Sequence, residues 1–461
     1  MYPTPDATRK QAKLVRTRGE QSGYLDIFNT LTSGILLDTL ESLLPEHRER
    51  LFPPTETLAM FVSQALSADR SCQGIVNQSA VQRLIGGLPQ CSTHTGGYCQ
   101  ARKNLPLELV SGLSHYLGQW MHQQAPEDWR WHQRKVRIVD GTTVTMPDTP
   151  ENQAAYPQQK AQSAGLGFPI CRVLGVTCLS SGALLNAAIG PFKGKGGDEQ
   201  SLLRSLQETF DSGDILLGDA YFASYFFIAE MQARGVDLLM EQMGGRKRVT
   251  DFRRGNRLGA RDHLIVLKKP KLKPQWMSDA QYQSAPDSIT IREFKAGGKI
   301  MVSTMTCSKT YSKESLKHLY RQRWSVELDI RDIKETMGMG ILSCKTPEMV
   351  IKEVWVYLLA YNLIRFMMVQ SAMLFDILPR SISFKHTLQL WLAIRGKFDQ
   401  LDPDQYAALL QLISQQQVGD RPGRIEPRAV KRRPKPLPLL TKPRHLARLE
   451  ILKNGHPKKL N

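Results

Sequence analysis

The sequence predicts a mixed α/β fold, and two patterns carry that expectation. Between residues 135 and 241, short β-branched runs alternate with helical stretches, as in a sheet covered by helices. On either side, residues 25–128 and 312–416 keep apolar side chains at a helical three-to-four spacing. At 461 residues the chain is long enough for two or three domains, and 41% hydrophobic with 23% charged residues is a globular composition. A third observation concerns the partner. Lys and Arg number 62 against 43 Asp and Glu, a formal charge of +19, which favours a polyanion and above all nucleic acid. An acidic membrane surface is the weaker alternative, because no amphipathic basic helix stands out. Cys72, Cys91, Cys99, Cys171, Cys178, Cys307 and Cys344 are odd in number and scattered, so reduced thiols of a cytosolic protein are expected. The first residues carry no apolar signal region. The apolar run 354–375 contains Asn362, Arg365 and Gln370 and reads as a buried helix, not a membrane span.

Residues 1–24 form a basic arm with Arg9, Lys10, Lys13, Arg16 and Arg18, either a solubilising tail or a DNA contact. Residues 25–128 read as a small helical domain with breaks at Pro and Gly. The β-branched run 136–139 ends in Asp140-Gly141-Thr142. A hairpin over 169–176 and 183–189 turns at Ser180-Ser181-Gly182. A helix over 201–210, a strand over 214–218 ending in Asp219-Ala220-Tyr221, a helix over 224–234 and a strand over 236–241 complete the alternation. Residues 243–311 interrupt it as a β-rich insertion, with strand-like runs at 263–267, 288–294 and 300–306. The insertion's Arg246, Lys247, Arg248, Arg253, Arg254 and Arg257 are either a second polyanion contact or a solvated loop. Helices are expected over 318–340, 348–374, 388–398 and 405–416. The last 41 residues hold 13 Lys or Arg, with six Pro between 422 and 443, a composition that builds no core of its own. The expected division is 1–130 as basic arm and helical DNA-binding domain, 131–242 as the first part of the catalytic domain and 243–311 as the insertion. Residues 312–400 would be the second part, and 401–461 a helix with a basic tail.

The candidate chemistry centres on 318–340. In a helix, Tyr320, Arg323, Glu327 and Lys334 fall within an arc of roughly 60°. One face thus carries an aromatic hydroxyl, cations and a single carboxylate, with Arg331 at its rim. A solvated face with a Glu327–Arg331 ion pair is the alternative reading. Asp140 and Asp219 each end an apolar run, where side chains leave a sheet and face a crevice, although an Asp before a small residue is also a turn former. Together the three carboxylates suit two Mg²⁺ ions about 4 Å apart, which stabilise the entering and leaving oxygens of phosphodiester hydrolysis. Asp148, Asp198, Glu199, Asp329 and Asp332 rank below them. Asp198 and Glu199 are adjacent at a helix start, and Asp329 and Asp332 lie off the polar face.

The Tyr320, Arg323, Glu327 and Lys334 spacing resembles the Tyr-Arg-Glu-Lys signature of DDE transposases of the IS-four family of bacterial insertion sequences. Asp140-Gly141-Thr142 and Asp219-Ala220-Tyr221-Phe222 resemble that family's two Asp-centred motifs. The resemblance covers about residues 90–390. It implies an RNase H-like catalytic domain interrupted by a β insertion, and cut-and-paste transposition with Mg²⁺, Mn²⁺ being a substitute. Asp140, Asp219 and Glu327 would bind the ions; Tyr320, Arg323 and Lys334 would hold phosphates. Double-stranded DNA would be the partner, with a homodimer on paired transposon ends in the cytoplasm at the nucleoid. Trp276 would be a candidate to stack a flipped base. Two other functions stay open: a catalytically inactive end-binding protein, and an RNase H-like nuclease without strand transfer.

Overall fold

The computed structural model describes residues 52–394 (except 86, 88–90, 164, 193 and 195), 401–419 and 442–455. The basic arm, the helical pattern before residue 52 and much of the basic tail lie outside the described residues.

A nine-stranded sheet organises the chain, in the order β3-β2-β1-β4-β5-β9-β8-β7-β6. β1 (Val136–Thr145), β2 (Ile170–Cys178) and β3 (Leu184–Pro191) form an antiparallel meander. The β2–β3 turn needs the positive φ of Gly182, +74°, as the Ser-Ser-Gly sequence predicts. β4 (Ile215–Gly218) and β5 (Asp237–Glu241) run parallel to β1. β4 is buried along its whole length, as expected of a central strand covered on both faces.

The insertion does not form a separate sheet. β6 (Asn256–Gly259), β7 (Asp262–Lys268), β8 (Ser288–Ala296) and β9 (Lys299–Ser303) are antiparallel, and β9 pairs back onto β5, so the insertion extends the sheet. β6 was not expected, because its polar Asn-Arg-Leu-Gly sequence lacks a strand pattern. Part of the insertion's basic cluster has local partners: Arg246 pairs with the buried Glu293 at 3.0 Å, and Arg253 and Arg254 pair with Asp251.

Helices α1 (Pro54–Leu66), α2 (Cys72–Ile85), α3 (Gly96–Asn104) and α4 (Leu107–Gln124) precede the sheet. α5 (Glu199–Arg204) and α6 (Tyr225–Ala233) link β3 to β4 and β4 to β5. After the insertion come α7 (Lys313–Arg321), α8 (Ser325–Arg331) and the 28-residue α9 (Pro347–Leu374), then α10 (Phe384–Ile394), α11 (Pro403–Ser414) and α12 (Arg444–Asn454). α1, α4 and α9 share one hydrophobic core with residues of β2 and β3. α9 is buried almost throughout, and its polar residues are paired. Asn362 bonds to the backbone of Leu184 and Ser114, which lets an amide sit inside an apolar layer. Among the described residues no helix is long and apolar enough to cross a membrane. All seven cysteines are free.

The helix expected over 318–340 starts at Lys313, where the Ser312 side chain accepts from the Ser315 N–H. It is not uniform. A 3₁₀ turn at Gln322–Trp324 separates α7 from α8, and a π-turn at Asp332–Thr336 follows α8. Gly338, at φ +91°, ends it, and Arg70 of the α1–α2 loop donates to the Gly338 carbonyl at 2.7 Å. Val326, Ile330, Ile333 and Met337 keep a helical apolar spacing in the sequence; Val326, Ile333 and Met337 are buried and Ile330 is half-buried, while Trp324 and Leu328 are exposed.

Candidate active site

The site lies at a gap in the sheet. β1 pairs with β4 only over Val136, Arg137 and Ile138. Farther along the same edge, Thr145 bonds to the backbone of Gly340 and Leu342. Among the described residues the edge between these contacts carries no partner strand, and Asp140 sits in it. The expectation that Asp140 ends its strand is corrected: β1 continues to Thr145 because β2 pairs with it from Arg137 through Thr145. Asp219 does follow its strand directly. It caps the turn Ala220–Phe222, its Oδ1 accepting from the Tyr221 N–H at 2.8 Å.

α8 brings Glu327 to this gap, with Val326 packed in the core that also holds Val136 and Ile138. Arg323 spans two of the carboxylates. Its Nη2 donates to Glu327 Oε1 at 2.7 Å, and its Nη1 lies 3.8 Å from Asp140 Oδ2. Glu327 is therefore paired with Arg323, not with Arg331. Burial alone would lower the Arg323 guanidinium, but Glu327, Tyr320 and Asp140 outweigh that and hold it above its usual value. Burial pushes the Tyr320 hydroxyl up to about 12, so it remains a donor at neutral pH. Lys334 falls in the π-turn, which breaks the even helical spacing between Glu327 and Lys334. Its side chain makes no hydrogen bond or ion pair among the described residues.

Burial also pushes the Asp140 carboxyl up to about 6. The charges of Asp219 and Glu199 add to this, and the Gly141 N–H and Arg323 oppose it. A folded-state value above the usual 3.8 means that the native protein binds the extra proton between those two values. Stability from that proton is present below the lower value and is lost as pH rises through about 6. A cation entering below pH 6 must displace the proton. Mn²⁺ affinity is thus expected to fall by up to roughly tenfold per pH unit below about 6 and to level off above it. Titrations between pH 5 and 8 check this, and Asp140→Asn should remove the step. A flat profile in the unaltered protein would contradict it.

The donor set is all oxygen, which suits a hard divalent cation. One guanidinium already lies between Asp140 and Glu327, where a positive charge is accommodated. The triad is not pre-closed: among the described residues no three His, Cys, Asp or Glu side chains stand close enough to hold a metal ion. Asp329, ranked low from its helical angle, is fully buried and bound by Arg365 and Arg380. Asp332 is buried and accepts from the Thr336 hydroxyl. Asp198 caps α5. Glu199, passed over with Asp198, instead turns towards Gly141. No sequence signal separates those two adjacent acids. Trp276 is 41% exposed, and the Arg204 guanidinium lies 3.5 Å from its ring centroid.

A mixed sheet in which β1 and β4 part beside Asp140, with helices packed against it, places the chain among α/β proteins. Residues 131–363, half of the chain, match the transposase DDE domain, and the chain belongs to that family. It is a DDE transposase of the IS4 kind. It is similar to transposase InsG for insertion sequence element IS4 of Escherichia coli (strain K12), 28% identical over 431 residues, 90% of this chain and 95% of that protein. A solved structure with a distant likeness is the piggyBac transposase synaptic complex with hairpin DNA, at TM-score 0.42 and 10% identity, covering 88% of this chain and 86% of that one.

Proposed function

We propose that the chain binds the terminal inverted repeats of its own insertion sequence, cleaves phosphodiester bonds there with two divalent metal ions and transfers the 3′ ends to target DNA. The observation that carries this is the single guanidinium of Arg323 between Asp140 and Glu327, in the gap beside β4. The strand order β3-β2-β1-β4-β5 supports an RNase H-like core, with 243–311 as its insertion between the second Asp and the Glu. Asp140, Asp219 and Glu327 would hold Mg²⁺, or Mn²⁺ in its place. Bound there, the ions would supply charge neutralisation for the entering and leaving oxygens of an in-line displacement. Arg323, released from Glu327, presents a planar fork suited to a phosphate. Tyr320 keeps its proton and donates to a non-bridging oxygen, and Lys334 adds a point charge. A homodimer would hold the two transposon ends, in the cytoplasm on the nucleoid.

The test uses purified protein, Mg²⁺ and DNA carrying the element's terminal repeat. Nicked, hairpin and joined products are expected. A shifted band without cleavage would mean an inactive end-binding protein, and cleavage that ignores the repeat would mean a nuclease without strand transfer. A second prediction concerns the basic tail, which includes α12. Removing residues after Gln417 is expected to weaken DNA binding and to flatten its salt dependence, each lost phosphate contact removing roughly 0.9 from the log–log slope. An unchanged slope would show that the tail does not touch the backbone.

A further inference from the structure

We infer that Glu199 is a fourth carboxylate of the catalytic site, reaching it from the face of the sheet opposite Glu327. The inference rests on the divalent-cation reading above. Side chains on a strand alternate between faces. Val136 and Ile138 share a core with Val326 of α8, whereas Val139 shares the other core with Leu202 and Leu203 of α5. Asp140 therefore falls on the Glu327 face and Gly141 on the α5 face. A continuous sheet would keep groups on the two faces apart. Here β4 leaves β1 after Ile138, so both faces open onto one gap.

Glu199, the first residue of α5, lies against that gap. A Cβ placed on Gly141 would meet its Oε1 at 2.6 Å, so any larger residue beside Asp140 would push this carboxylate from where it stands. Two contacts fix it. Arg172 Nε, on β2, lies 3.5 Å from Glu199 Oε1. Gln200 donates to the Tyr221 carbonyl, latching the start of α5 to the turn that Asp219 begins. The two outer carboxylates thus each rest on an arginine: Glu327 on Arg323, which also reaches Asp140, and Glu199 on Arg172, which pairs with Thr143 of β1. Two hard cations need more carboxylate oxygen than one, and Glu199 supplies it on the side that Glu327 does not reach.

The test is a titration of the full-length protein with Mn²⁺ alone, counting bound ions from the loss of the free-ion paramagnetic resonance signal. Glu199→Gln keeps the side-chain shape and is expected to weaken Mn²⁺ binding about tenfold or more. Gly141→Ala leaves Glu199 in the chain but pushes its carboxylate aside, and should give a loss of similar size. Combining the two should add little to either alone, since both remove the same contact. Asp198→Asn, which removes a neighbouring charge and keeps a cap on α5, should leave Mn²⁺ binding within a few-fold. If Glu199→Gln and Gly141→Ala bind Mn²⁺ like the unaltered protein while Glu327→Gln does not, Glu199 lies outside the site. If Asp140→Asn and Glu327→Gln also leave binding unchanged, the divalent-cation reading itself fails.

Discussion

Glu327→Gln is expected to lower cleavage of terminal-repeat DNA by roughly a thousandfold or more, while DNA binding stays within a few-fold of the unaltered protein. The substitution keeps the shape and one hydrogen-bond acceptor for Arg323, so α8 should remain in place. What it removes is the negative charge that balances a divalent cation, and that charge matters most when the reacting phosphate gains charge of its own. Binding is affected differently. Glu327 is an acid in a basic protein, so neutralising it takes away a repulsion towards phosphate. The matched control is Glu335→Gln, an exposed acid just beyond the same helix, which should cut DNA normally. Cleavage at the unaltered rate by Glu327→Gln, measured by gel with end-labelled DNA, would remove Glu327 from the chemistry.

The elements that local pattern defines were legible in the sequence. β4 is an apolar run, Asp219 follows it, and the structure has both as read. The stripe of Val326, Ile330, Ile333 and Met337 predicted which face of the Glu327 helix is buried, with Ile330 only half-covered. What escaped was set by partners distant in the chain. Asp140-Gly141 reads as a turn although the β-branched Thr142-Thr143-Val144-Thr145 follows it; pairing with Leu174, Val173 and Arg172 of β2 carries the strand through the glycine. The insertion's strands were visible as runs, but their joining to β5 through Leu239 and Ser303 was not, since pairing across some sixty residues leaves no local trace. The π-turn that carries Lys334 likewise depends on tertiary anchoring of 338–342 and not on helix propensity. Glu199 and Asp198 have the same chemistry and adjacent positions. Only the fold sends one to a helix cap and the other to Gly141.

Asp329→Ala is expected to destabilise the protein by about 3–5 kcal/mol, the usual consequence of removing one partner from a buried charge cluster. Asp329 is fully buried on α8, two residues beyond Glu327. Arg365 of α9 donates to its Oδ1 at 2.7 Å, and Arg380 donates to its Oδ1 and Oδ2 at 3.1 and 3.0 Å. Arg380 also donates to the Cys178 carbonyl, and Arg365 to the Tyr361 hydroxyl. This carboxylate therefore ties the Glu327 helix to α9 and to the end of β2. Without it, Arg365, buried on α9, loses its paired carboxylate, keeps the charge of Asp332 nearby and cannot reach solvent without unpacking α9, while the half-buried Arg380 loses its partner. Urea unfolding should show the loss directly, and added salt should not restore stability, because screening does not reach a buried cluster. At a temperature where the variant stays folded, Mn²⁺ binding should persist, since both Asp329 oxygens are already taken by Arg365 and Arg380. A variant with unchanged stability but no Mn²⁺ binding would reverse the assignment and make Asp329 a ligand.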